Sequence, residues 1–507
     1  MNPPEGPAPA DAGGSRSGGG RDPGEPLPPA TLFLFGVPIH NVTTGDALAW
    51  IAARARSGRP AQVVTSNLDF IMQALRDPEM QRIHLEADLV VADGWPPVFF
   101  SGWFGPRLKG RVAGSDMVAM MGGFARDKNL SLYALGGKEG VAVEALRILG
   151  ERSPGLRVAG CFSPPVAGLG EMDHAGLRAR IAEAKPDVLL VAFGAPKQDK
   201  WIRMNGRRIG RGVALGIGAS LDFIVGVQTR APRWIQSLGM EWFWRLCSQP
   251  RRLFKRYAAN LIFLPTMLAR LLLIRAWPGG GKPCAPAPDR ALTQSRAAEV
   301  VPLRPLRTEK DAEEFCRPLE VAAPGRILVL DLSGYAWLNS LELGAVARLA
   351  RASWSRGGRL FLLGVTVRAR RLLRLVKLDR WVEQPESPEE WSRRLDEFAG
   401  PEERRRTICK RDHDALEVVL AEEFDSDEAA RVETEYARLA AVEGLRRVVI
   451  DGHRLQYLDS SGLLFLRNVW RSAQGREGFE VRLRSFPRRI LDQLEREGLS
   501  VLAASPP

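Results

Sequence analysis

A single carboxylate, Asp93, stands at the tip of the apolar run Leu89-Val90-Val91-Ala92 and is followed at once by Gly94. A buried strand that ends on one acid can present a general base to a bound ligand. Four other segments share this design. Val63-Val64-Thr65-Ser66-Asn67 runs from a β-branched stretch into small polar residues, bringing Thr65 and Asn67 to its end. In Leu132–Gly140 (LYALGGKEG), Gly136 and Gly137 let backbone N–H groups approach a phosphate at a helix N-terminus. Val188–Lys200 (VLLVAFGAPKQDK) carries Gln198, and Val213–Asp222 (VALGIGASLD) completes the set. Each segment alone is a turn as readily as a ligand loop. Their common placement, strand first and polar residues after, is what points to one site.

Residues 31–275 alternate apolar β-rich runs with amphipathic stretches, which predicts an α/β domain with a largely parallel sheet. In such sheets the ligand binds outside the carboxyl ends of the strands. The basic stretch Trp244–Tyr257 (WRLCSQPRRLFKRY) comes next, and Arg245, Arg252 and Lys255 or Arg256 fall on one face at helical spacing. Between and beyond these cations lie Trp242, Phe243, Phe254 and the run Leu261–Leu273. Aromatic and aliphatic residues among cations with little acid describe a helix lying on an anionic lipid surface. Asn260, Pro265, Arg270 and Arg275 interrupt the apolar run, so the sequence predicts a segment that lies on a membrane and does not span it.

The chain of 507 residues needs more than one core. Its net charge of +13 calls for an anionic partner, either lipid or phosphorylated substrate. Nucleic acid is disfavoured, because no binding motif accompanies the charge. The five scattered cysteines predict a reducing, cytoplasmic setting and neither disulfides nor a thiolate metal site. No Asp-x-Asp follows a strand and His84 and His174 stand apart, so no metal or other cofactor is expected. Composition divides the chain into a disordered leader at 1–30, the α/β domain at 31–240, the basic appendage at 241–276 and a Pro/Gly linker at 277–299. Beyond the linker Ile327–Leu332 with Trp337-Leu338-Asn339-Ser340 repeats, 120 residues later, as Val448–Asp451 with Tyr457-Leu458-Asp459-Ser460. Two copies of one small α/β module are predicted, at 300–398 and 407–504.

Across about residues 31–260 the ordered motifs resemble the WecG/TagA/CpsF glycosyltransferase family. The matching pieces are Thr65-Ser66-Asn67, Asp88–Gly94, Arg111-Val112-Ala113-Gly114-Ser115-Asp116, Gly194–Trp201, Arg230–Trp234 and Glu241-Trp242. Trp95-Pro96-Pro97 departs from the family pattern beside the acid. The resemblance implies a Rossmann-like domain that transfers a hexose of the N-acetylmannosamine type from UDP to an undecaprenyl-diphosphate-linked sugar, with inversion. Asp93 would be its base, and Thr65, Asn67, Arg111 and Gln198 would orient donor and acceptor. The basic appendage would close over the leaving diphosphate, on the inner face of the cell membrane.

The second repeat, with Asp459-Ser460-Ser461-Gly462, resembles the STAS domain of anti-sigma-factor antagonists. That likeness implies Ser460 as the target of a partner kinase, at a helix N-terminus and exposed to a docking protein. The first repeat reads Asn339-Ser340-Leu341-Glu342 and is STAS-like but degenerate. The rival reading is a scaffold that binds sugar nucleotide without turning it over and signals through the repeats.

Overall fold

The computed structural model describes residues 29–228, 231–232, 235, 241–248, 250–277, 284, 299–322, 326–354, 358–399, 406–474, 476 and 478–499. The leader and most of the linker therefore lie outside the described residues.

A hairpin of β1 (Thr31–Leu34) and β2 (Val37–His40) opens the fold and leads to α1 (Thr44–Arg56), β3 (Ala61–Ser66), α2 (Leu68–Arg76) and α3 (Pro78–Glu86). There follow β4 (Leu89–Ala92), α4 (Trp95–Ser101), α5 (Gly114–Asp127), β5 (Ser131–Gly136), α6 (Val141–Arg152) and β6 (Arg157–Phe162). The domain continues through α7 (His174–Ala184), β7 (Val188–Ala192), α8 (Lys197–Ile209), β8 (Val213–Gly216) and α9 (Ser220–Val225). Its six-stranded sheet has the order β4-β3-β8-β7-β5-β6 and is parallel throughout. Helices cover both faces, so the central strands read as unbroken Val/Leu/Ala runs. Period-2 alternation sorts their residues: Val63, Leu89, Leu132 and Leu190 join the core under α1, α5 and α6, while Val64, Val90, Leu135 and Val191 face the other side.

Two helices extend the domain, α10 (Glu241–Ser248) and α11 (Pro250–Arg275). Within α11, Tyr257–Arg275 is long and apolar enough, by length and composition, to cross a membrane, so the expectation that the run is too interrupted to span needs correction: Pro265 does not break the helix. One face of α11 is nevertheless committed to protein. Met267 and Leu271 are buried in a shared core, while Leu261, Ile262, Leu272 and Leu273 point outward. A helix packed this way along a globular core presents a stripe to lipid and not its whole circumference.

The first repeat comprises β9 (Glu299–Pro302), α12 (Glu309–Ala322), β10 (Ile327–Asp331), α13 (Ser340–Trp354), β11 (Arg359–Leu363), α14 (Val367–Leu375) and α15 (Pro388–Ala399). The second comprises β12 (Ile408–Asp412), β13 (Ala415–Val419), β14 (Glu423–Phe424), α16 (Ser426–Ala440), β15 (Arg447–Asp451), β16 (Tyr457–Leu458), α17 (Ser460–Ala473), β17 (Glu480–Arg484) and α18 (Arg488–Arg496). Three parallel strands, in the order β11-β10-β9, correspond to β17-β15-β13, to which β12 adds antiparallel and makes the sheet mixed. The caps correspond as well. Asn339 Oδ1 accepts from the N–H groups of Leu341 and Glu342 at 2.8 and 3.0 Å. Asp459 Oδ1 accepts from those of Ser461 and Gly462 at the same two distances.

The copies are held differently. Leu330, Leu341 and Val346 of the first share one continuous core with Leu32, Met80 and Val90 of the N-terminal domain. The backbone at Gly344 comes so close that a Cβ there would lie 2.4 Å from the carbonyl oxygen of Thr31. The second copy has a core of its own around Leu416, Ile450 and Leu466.

Candidate active site

Parallel pairing puts the ends of β3, β4, β5, β7 and β8 on one edge of the sheet, so the five segments singled out in the sequence meet there. The pairing Ser66↔Ala92 seats Asp93 beside the end of β3, and its N–H donates to the carbonyl of Ser66 at 2.9 Å. Asp93 is half-buried just beyond the end of β4. Gly94 takes φ +139° and ψ 162°, a conformation that side chains oppose, and from it the chain turns directly into α4. The departure Trp95-Pro96-Pro97 becomes the first turn of that helix, where proline's missing N–H costs nothing.

Thr65 is buried, with its hydroxyl donating to the carbonyl of Gly216 at 3.4 Å, and its side chain lies against Gly114. Asn67 caps α2, accepting from the N–H groups of Asp69 and Phe70 at 3.0 and 3.2 Å. Gln198 is almost completely buried, and its Oε1 accepts from the N–H groups of Gly194 at 3.2 Å and Gly218 at 2.9 Å. One carboxamide thus fastens the loop after β7 to the loop after β8, which gives Gln198 a positioning role. Beneath it lies Asp199, and a Cβ on Gly216 would come within 2.5 Å of Gln198 Nε2 and 3.0 Å of Asp199 Oδ1. Burial pushes the Asp199 carboxyl up to about 7. Sequence reasoning passed over Asp199, although an acid on the inward face of α8 was visible in the pattern.

Arg111 lies near the end of the segment that runs beside β4, where the N–H of Val112 donates to the carbonyl of Ala92 at 2.8 Å. Its guanidinium donates to Asp116 at 3.1 Å and to Glu241 at 3.0 Å. Two motifs far apart in sequence are thereby joined, and the start of α10 is pinned to the crevice. At the end of β5, Gly136 has φ +95° and stands where a Cβ would lie 2.7 Å from the ring of Phe193, while the N–H of Gly137 donates to Ala192 O at 3.1 Å.

The helix starts on this edge have a property that the sequence did not announce. Helices α1, α2, α3 and α7 are capped by Thr43, Asn67, Asp77 and Asp173. In contrast α5, α6 and α8, which start on this edge, begin at Ala113, Gly140 and Pro196 with no side-chain cap. Their first N–H groups and the positive ends of their dipoles make this edge receptive to an anion.

Of the proposed cations in the appendage, Lys255 is exposed on α11, and the side chains of Arg245, Arg252 and Arg256 lie outside the described residues. So do Arg230, Arg233 and Trp234. Among the described residues no group of three or more His, Cys, Asp or Glu side chains converges on a metal-sized site. His84 is fully buried, with Nε2 3.1 Å from Ser66 Oγ, and burial lowers it to about 4. His40 is lowered to about 3 by burial and the nearby Arg351.

Ser460 is the first residue of α17, but it is not free on the surface as the sequence suggested. Its N–H and Oγ donate to Glu79 of α3 at 3.0 and 2.8 Å. Ser340, its counterpart, is fully buried, and its N–H donates to Phe104 O at 2.7 Å.

Fold and site together define an α/β domain with a parallel sheet whose carboxyl edge carries Asp93 and the uncapped starts of α5, α6 and α8. Residues 32–276 match the model of the glycosyl transferase WecG/TagA/CpsF family, and residues 407–503 match that of the STAS domain. The first part of the chain is thus similar to the WecG/TagA/CpsF glycosyltransferases and the last part to STAS domains. Among similar proteins is the N-acetylglucosaminyldiphosphoundecaprenol N-acetyl-beta-D-mannosaminyltransferase of Bacillus subtilis (strain 168), 29% identical over 192 residues, or 38% of this chain and 73% of the relative. The protein of the same description in Staphylococcus aureus (strain MW2) is 26% identical over 226 residues, 44% of this chain and 87% of the relative.

Proposed function

We propose that the N-terminal domain transfers a hexose, of the N-acetylmannosamine type or a close relative, from a UDP-sugar to a sugar on undecaprenyl diphosphate, in cell-envelope polysaccharide synthesis. The observation that carries this reading is Asp93, set on the same sheet edge as three helix N-termini without side-chain caps. Asp93 takes the proton of the acceptor hydroxyl as its oxygen attacks the anomeric carbon. The bond from that carbon to the UDP oxygen breaks on the opposite face, so the configuration inverts. Negative charge grows on the departing β-phosphate, and the helix N-termini with the arginines of 245–256 offset it without a divalent metal. Thr65, Asn67, Gln198 and Arg111 hold the loops and the appendage around the reactants.

The outward stripe of α11, with exposed Trp242, Phe243 and Phe254 nearby, supports peripheral attachment to the inner face of the cell membrane, where the lipid-linked acceptor resides. The matching strand order and caps support reading residues 300–398 as a second STAS-like module, while Ser460 as a target of a kinase partner rests on the STAS likeness alone. The test is transfer from a panel of UDP-sugars to a short lipid-diphosphate acceptor, with and without EDTA. Product with inverted configuration, unchanged by EDTA, is expected. UDP binding without transfer to any acceptor would instead favour the scaffold reading.

A further inference from the structure

The two repeats present the same edge to the N-terminal domain, the start of the helix after the capping residue, yet they use opposite physics there. The first is fixed by apolar burial, with Ser340 sealed inside. The second is seated largely by charge, with Tyr457 packed beside Trp381 as an apolar contact. Besides the contacts of Ser460, Glu79 Oε2 accepts Lys200 Nζ at 2.8 Å. Arg82 reaches Asp425 at 2.8 Å and Glu423 at 3.1 Å, with its guanidinium 4.8 Å from the centre of the Tyr457 ring. Arg208 meets Glu433 at 2.7 Å, and Arg207 meets Asp427.

Most of these cations belong to α8, the helix that carries Gln198 in its first turn. Lys200, Arg203 and Arg207 are spaced at three and four residues with Arg208 adjacent, so these cations repel one another unless acids meet them. Glu86 supplies one acid from inside the domain. Burial alone would raise its carboxyl, but Arg203, Arg82 and Arg207 together bring it down to about 2. Most of the remaining acids come from the second repeat.

We infer that the module at 407–499 is a detachable clamp on α8, whose seated state holds the loops at 194–198 and 216–220 in their crevice-forming arrangement. The line of contact is short. Ser460 holds Glu79, Glu79 holds Lys200, and two residues before Lys200 the Gln198 carboxamide ties Gly194 to Gly218. A negative charge placed on Ser460 would face the Glu79 carboxylate and break the first link. Ionic contacts suit release because separated charges recover their hydration, whereas the apolar face of the first repeat recovers nothing from water.

Hydrogen exchange on the full-length protein tests this without any substrate, so its outcome is independent of the transferase reading. Ser460→Glu should speed exchange of the α8 amides and of both loops by roughly tenfold or more, while β15 amides keep their protection because the module stays folded. Arg207→Asp and Asp427→Arg should each speed α8 exchange, and the double exchange of charges should restore protection. Unchanged α8 exchange in Ser460→Glu, or no restoration in the double variant, would overturn the clamp.

Discussion

Arg111 and Glu241 are separated by 130 residues in the chain and by 3.0 Å in the fold. Their ion pair is largely buried, with 16% and 12% of the two side chains exposed. It ties the segment beside β4 to the first residue of α10. Removing one partner from such a pair leaves the other charge stranded. Arg111→Ala and Glu241→Ala should each lower turnover, by loosening the appendage over the crevice, and a double-mutant cycle should give a coupling of about 1–3 kcal/mol. Additive effects in that cycle would mean that the pair does not act as a unit.

Asp93→Asn preserves shape and the N–H donated to Ser66. Turnover should fall by roughly a hundredfold or more, as for loss of a general base, with UDP affinity and thermal stability little changed. Near-wild-type transfer would remove Asp93 from the mechanism.

Gln198→Ala deprives two backbone N–H groups of their acceptor. A stability loss of about 2–4 kcal/mol is expected, together with a raised KM for the donor. If KM were unchanged while stability fell, the two loops would not shape the donor site.

Asp199 makes a pH prediction. Its ordinary value is 3.8 and its folded value about 7, so between these the folded protein holds a proton that the unfolded chain has lost. Its contribution to stability therefore falls as pH rises through that window and is constant above it. Asp199→Asn should gain on the wild type by roughly 2 kcal/mol between pH 5 and pH 7 in denaturant titrations. A pH-independent difference would show that Asp199 does not titrate there.

Because α11 buries Met267 and Leu271 in the shared core, deleting it would damage the fold. Substitution on its outward stripe avoids this. Leu261→Ser, Ile262→Ser and Leu273→Ser combined should weaken binding to anionic vesicles by roughly a hundredfold or more, on the order of 1–2 kcal/mol per buried side chain, and leave transfer to a soluble acceptor intact. Unaltered vesicle binding would place the membrane surface elsewhere.

Much of this molecule follows from local sequence. Runs such as Leu89–Ala92 and Val188–Ala192 are strands of a doubly covered sheet because nothing polar interrupts them. Asp93, Thr65, Asn67 and Gln198 could be picked out because each follows such a run, and parallel pairing must then bring the ends together. The repeat was legible for the same reason, since Asn339 and Asp459 are helix caps, and a cap is fixed by its own neighbours. Only the tertiary structure decided what those residues face. No periodicity reveals that Ser460 rests on Glu79, that Ser340 is sealed beside Phe104, or that the cations of α8 meet acids more than 200 residues away. Such contacts join surfaces whose residues are ordinary solvated charges in sequence, and charge complementarity depends on distance in space, which local pattern does not encode.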